Sequence, residues 1–233
     1  MPPKYPCTVR GCEKPRHSHK PRCLAHSLKI IRNGTENGSN LTSSQRKAYV
    51  FSALAVLRSR LRHKCPDAHS TVNDLNALLR CRIEKVSLHD YARAKPIRKA
   101  HAILHAIHKR YEDHAAKVII ATVVGTLLAL KLEPDLPERG EVYGSFQILR
   151  ALSALLRPEI IKSGRLVLRR SRPYPAGGLV TGHLEHLVGS PIRYFLREVG
   201  QDFEREVLAH MLAHPGRKQR AIVITPFRKK ERP

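Results

Sequence analysis

Cys7, Cys12, Cys23 and His26 fall in the pattern C-x4-C-x10-C-x2-H, with His17 and His19 between them. The chain has only five cysteines, and three of them share residues 7–26 with three histidines. Thiolate and imidazole are the ligands zinc prefers, and four of them around one ion close a tetrahedron with no position left for water or substrate. The spacing therefore predicts a structural Zn2+ site held by Cys7, Cys12, Cys23 and His26, with His17 and His19 as alternative ligands. Residues 1–32 carry few apolar side chains, and so short a segment needs a metal in place of a core. The odd cysteine number argues against a disulfide framework. No apolar signal stretch is visible in MPPKYPCTVRGCEK, which makes the expected location cytoplasmic, nucleoid-associated if the partner is DNA.

The stretches CTVRGCEKP and CLAH, followed by Lys29, Arg32 and Gly34, resemble the short treble-cleft-like zinc segment of phage and mobile-element proteins, which often accompanies HNH homing-type endonuclease domains. The resemblance covers residues 5–35. It is carried by Cys7, Val9, Gly11, Cys12, Pro15, Cys23, His26 and Gly34; Ser27 stands where the family usually has Tyr, and Arg22 where it often has Leu. It implies a DNA-associated role in a phage or mobile element, and it brings an HNH-like nuclease with it as an alternative. Such a site needs two histidines and an asparagine on a ββα hairpin around one divalent ion. GHLEH offers His183 and His186 but no matching partners, so no catalytic residue is expected.

Other chemistry is thinly represented. His101, His105, His108 and Glu112 recur at helical spacing and could line a metal site, yet they sit one position beyond Ala100, Leu104, Ile107 and Tyr111, where a helix turns from core to surface. Cys65 and Cys81 have no close partner in sequence. No phosphate-binding loop, dinucleotide fingerprint or serine-nucleophile signature occurs. Glu198, Asp202 and Glu206 share one helix face and read as a solvated stripe.

Charge indicates the partner. The chain holds 43 Lys+Arg against 19 Asp+Glu, a formal charge of +24, which fits a polyanion. Residues 1–64, 162–182 and 215–233 contain almost the whole excess. The predicted nucleic-acid contacts are Arg10, Lys14, Arg16, Lys20, Arg22, Lys29 and Arg32 in the zinc segment, then Arg58 and Arg62. Arg165, Arg169, Arg170 and Arg172 follow, and Arg228, Lys229 and Lys230 in the tail. Such groups neutralise phosphates and release counter-ions. Aromatic residues make up only 5% of the chain and Trp is absent, so stacking on single strands is not indicated. Duplex DNA is the expected partner, structured RNA or a ribonucleoprotein the alternative, with a protein partner for the helical core and no membrane.

The elements that must position these groups are mainly α: a zinc module at 1–32, a linker at 33–42, a helical core at 43–214 and a basic tail at 215–233. Thr42 and Gln45 form a capping box that opens a helix with Val50, Leu54, Leu57 and Leu61 on one face. Further helices are predicted at about 71–86, from Pro96 to about 132, at 140–158, and from Ser190–Pro191 onward with Ile192, Phe195, Val199, Phe203 and Val207 inward. A short helix opening near Ser87, a β-hairpin near 165–182 and a C-terminal strand at 221–225 complete the expectation. VIIATVVGTLLAL, 118–130, is apolar all round but short of a bilayer span, so it belongs at the centre of the fold.

Overall fold

The computed structural model describes residues 5–17, 19–33, 41–85, 95–133, 141–156 and 178–214. Seven α-helices are present among them: α1 (Leu24–Asn33), α2 (Ser43–Arg62), α3 (Pro66–Ala77), α4 (Pro96–Tyr111), α5 (Ala115–Leu132), α6 (Glu141–Ala154) and α7 (Gly178–Ala213). A π turn, Leu78–Arg82, extends α3, and a 3-10 turn, Glu112–His114, joins α4 to α5. The expected short helix near Ser87, nearly all of the hairpin and the 221–225 strand lie outside the described residues.

α5 is the axis of the bundle. Its side chains from Ala115 to Thr126 are almost all buried, as its unbroken apolar run requires. By length and composition the α4–α5 stretch could cross a membrane, but most of its most apolar window is buried within the protein. α2 lies antiparallel along it: Gln45, at the start of α2, donates to Glu133 beyond the end of α5 at 3.1 Å, while Val50 meets Gly125 midway. Gly125 makes this approach possible, since a Cβ there would stand 2.6 Å from Val50 Cα.

The α2 capping box is present as expected: the Gln45 N–H donates to Thr42 Oγ1 at 3.3 Å, and the Thr42 N–H donates to Gln45 Oε1 at 3.0 Å. Leu41, inside the expected linker, is buried in the main core. The middle of α2 is buried on several sides, from Tyr49 to Leu57, and its cations lie at its two ends, Arg46 and Lys47 at one and Arg58, Arg60 and Arg62 at the other.

Three boundaries differ from expectation. The helix expected from about 71 begins at Pro66, a residue suited to the first turn, so Thr71 lies inside α3. The segment from Pro96 to 132 is broken at Glu112, whose φ of 47° lies in the left-handed region, and the two helices that result pack mainly on different partners, α4 on α7 and α5 on α2. The last helix begins at Gly178, twelve residues before Ser190, so the end of the expected hairpin, 178–182, is helical. Pro191 lies inside α7, where it removes an N–H from the ladder. Burial outweighs that loss: Val180, Leu184, Val188, Ile192, Phe195, Phe203 and Val207 make one buried stripe running through the proline.

Candidate metal centre

Few side chains hold residues 5–33 together. Cys7, Val9 and Cys23 form a small cluster, with Cys12 against it, separate from the core of the helical body. The backbone sets this geometry. Pro6 and Pro15 pair in an antiparallel bridge, the Cys7 N–H donates to Lys14 O and the Arg16 N–H to Tyr5 O, each at 3.0 Å. Between these rungs the chain turns back through Cys12 N–H to Val9 O at 3.0 Å, with Gly11 at φ +75°. A side chain is rarely accommodated at that φ, which explains the glycine. A second loop is closed by Thr8 N–H to Pro21 O and His17 N–H to Arg22 O, and it delivers Cys23 to the start of α1. One turn into α1 comes His26.

These turns bring four ligands together. The sulfurs of Cys7, Cys12 and Cys23 and a ring nitrogen of His26 all lie within 4.8 Å of one another. Cys7 Sγ and Cys23 Sγ are each 3.4 Å from His26 Nδ1, and Cys12 Sγ is 3.9 Å from Cys23 Sγ. This set lies close enough to bind a metal ion. It is also the one group of three or more His, Cys, Asp or Glu side chains among the described residues with that spacing. His17 and His19, the alternative ligands, are exposed and outside it.

The electrostatics of the sulfurs differ. Burial pushes the Cys7 thiol up, but N–H groups at Cys23 and Val9, with the His26 and Cys12 side chains, outweigh it and bring the pKa to about 6. At Cys12 the backbone at Lys14 lowers the pKa, but burial and the Cys23 and Cys7 sulfurs carry it upward. Neighbouring sulfurs thus resist ionising together, and a cation among them removes that resistance.

Arg10, Lys14, Arg16, Lys20 and Lys29 are exposed around this cluster, and Arg22 is half-buried. Arg16 also donates from Nε to Pro6 O at 2.9 Å. Arg58 and Arg62 are exposed near the end of α2. The side chain of Arg32, together with Arg165, Arg169, Arg170, Arg172, Arg228, Lys229 and Lys230, falls outside the described residues.

The histidine row of α4 does not gather into a group with metal-ligand spacing among the described residues. His101 is buried and its Nδ1 accepts the Glu84 N–H at 2.9 Å, His105 and His108 are half-buried, and Glu112 is exposed beyond the helix end. Cys65 stands just ahead of α3 and Cys81 is exposed in the π turn, both as free thiols. His183 and His186 lie on α7, and no strand accompanies them among the described residues. The acidic trio of α7 pairs with arginines: Glu198 with Arg197, Asp202 with Arg205, and Glu206 with Arg60. Sequence reasoning missed that last partner, whose signal would have required knowing that α2 and α7 are neighbours.

Fold and site together define a mostly helical protein with a three-cysteine, one-histidine cluster at its N-terminal end. Comparison with known proteins finds no matching family model, no matching curated protein and no matching solved structure. Functional inference therefore starts from the cluster and its charged surroundings.

Proposed function

We propose that this is a non-enzymatic, zinc-braced nucleic-acid-binding protein, acting on duplex DNA as a regulator or accessory factor of a phage or mobile element. The carrying observation is a division of labour within the N-terminal module. The four ligands converge, while Arg10, Lys14, Arg16, Lys20 and Lys29 stay exposed. Zinc suits the ligand set: with Zn–S bonds of about 2.3 Å and Zn–N bonds of about 2.0–2.1 Å, tetrahedral S···S and S···N edges are about 3.8 and 3.6 Å, close to the Cys12–Cys23 separation of 3.9 Å and the 3.4 Å from Cys7 and from Cys23 to His26. Four protein ligands leave no open position, which makes the ion a brace instead of a Lewis acid. The phage and mobile-element assignment rests on the resemblance of residues 5–35.

The test combines metal analysis with binding. Purified protein should contain one zinc per chain, and its affinity for duplex DNA should fall steeply as salt rises. Chelation should weaken that binding. Zinc-free protein with undiminished DNA affinity would refute the brace, and tighter binding to structured RNA than to duplex DNA would replace the partner.

A further inference from the structure

Helix α1 is held by the ligand cluster and touches α6, and one of its sides stays uncovered. Cys23 precedes it, His26 faces the other ligands, and Ser27 and Ile30 are half-buried. The opposite side carries Leu24, Ala25, Leu28 and Lys29, all exposed. Leu24 is 51% and Leu28 36% exposed. One exposed leucine is ordinary. Two at i, i+4 on a ten-residue helix, in a module whose described residues include Glu13 as the sole acid, form an apolar strip within a cationic surface.

That charge selects a polyanion as the occupant, and the strip selects which one. An α-helix is about 10–12 Å across with its side chains, and the major groove of B-DNA is about 12 Å wide. Within that groove the apolar groups are the C5-methyls of thymine. The major groove of duplex RNA is too deep and narrow to admit such a helix and lacks those methyls. Resting on the nucleic-acid reading above, we infer that α1 enters the major groove of DNA, with Leu24 and Leu28 against thymine methyl groups and Lys29 at the flanking phosphates. The metal fixes the inner side of the helix through Cys23 and His26, so the outer side is presented at a set angle.

The test compares two short duplexes, one of alternating A·T pairs and one in which every thymine is replaced by deoxyuridine. Charge and Watson–Crick pairing are the same, and the methyl groups are gone. Fluorescence anisotropy should show the wild-type protein binding the thymine duplex more tightly, by roughly fourfold for each methyl covered. The Leu24→Ala/Leu28→Ala double variant should bind both duplexes alike, with metal content and salt slope unchanged. Equal wild-type affinity for the two duplexes overturns the inference while leaving DNA binding intact. A preference that persists in the double variant overturns it as well. Loss of wild-type self-association in the variant, with equal duplex affinities, would assign the strip to a contact between copies and overturn it. Binding to neither duplex at low salt would take the proposed function down with it.

Discussion

Gly125 of α5 lies against the backbone of Val50 in α2 so closely that a Cβ would stand 2.6 Å from Val50 Cα, 2.7 Å from its nitrogen and 2.9 Å from the carbonyl carbon of Tyr49. All three are main-chain atoms and cannot swing aside. Gly125→Ala must therefore push apart the two helices at the centre of the bundle, at an expected cost of about 1–3 kcal/mol. Gly144→Ala is the control: its Cβ would meet only Leu130 Cδ1, at 3.9 Å. Relief of the glycine penalty within α6 should then raise stability by about 0.5–1 kcal/mol. Urea denaturation of the two variants should move in opposite directions, and equal shifts would refute the close approach.

Arg60 and Glu206 tie α2 to α7 across the sequence. Arg60 donates from Nε and Nη2 to the two carboxylate oxygens at 3.1 and 2.7 Å, and its guanidinium carbon lies 5.7 Å from the Phe203 ring centroid. The arginine side chain is only 13% exposed, the glutamate 47%. Removing the exposed partner would leave a largely covered cation unpaired, which costs more than an ordinary surface pair. Glu206→Ala should lose about 1–2 kcal/mol, whereas Glu198→Ala, which removes the partner of an exposed arginine, should change stability by less than about 0.5 kcal/mol.

The ligand set was legible because chelation imposes local spacing: Cys23 and His26 are one helical turn apart, and Cys7 and Cys12 flank one tight turn. The capping box at Thr42 and the buried run of α5 were legible for similar reasons, since each depends on near neighbours in sequence. Pro191 and Glu112 were not. Whether a helix continues through a proline depends on what its two halves bury, and Val180, Leu184 and Val188 gain that burial only from the assembled bundle. At Glu112 the break is a left-handed residue of no special type, and the different packing partners of α4 and α5 are set only in the assembled bundle. Arg60 illustrates the same limit for charge. It counts as one cation among many in the sequence, yet the fold assigns it a carboxylate and an aromatic ring.

Cations that the fold has paired should contribute less to polyanion binding than those it leaves exposed on the metal module. Lys131 is held by Glu204 at 2.9 Å, while Lys14 and Lys20 are exposed around the ligands. The slope of log affinity against log salt should become shallower by about 0.9 for each phosphate that is no longer neutralised. Lys14→Ala and Lys20→Ala should each flatten it, and Lys131→Ala should leave it nearly unchanged. A larger effect at Lys131 would move the binding face to the helical body.

Acid should weaken the fold through α4. Burial depresses the pKa of His105 below its ordinary 6.5, with His108, Lys109 and Lys85 adding repulsion of the charged form. The folded state therefore binds this proton less readily than the unfolded chain, and stability rises with pH through the interval between the two values. The contribution is complete above about pH 6.5 and is lost as the pH falls toward the lowered value. The urea midpoint should decline on acidification below pH 6.5. His105→Gln should make that decline shallower, and an unchanged profile would refute the assignment.

Cys23 is the keystone of the N-terminal ligand cluster, because its groups act at three points. Its N–H donates to Cys7 Sγ at 3.3 Å, its carbonyl accepts the Ser27 N–H at 3.0 Å, and its own sulfur lies 3.4 Å from His26 Nδ1. Cys23→Ser replaces a soft thiolate with a hydroxyl that is a poor zinc ligand at neutral pH. Bound metal should fall well below one equivalent, and the small cluster of Cys7, Val9 and Cys12 should lose its order, since it has too little apolar surface to persist alone. The helical body has its own core, so far-UV circular dichroism should lose little beyond the ten residues of α1, and the main thermal transition should stay in place. Global unfolding of the variant would mean that the module and the body form one cooperative unit. Retention of a full equivalent of metal would mean that an exposed histidine, His17 or His19, had been recruited in its place.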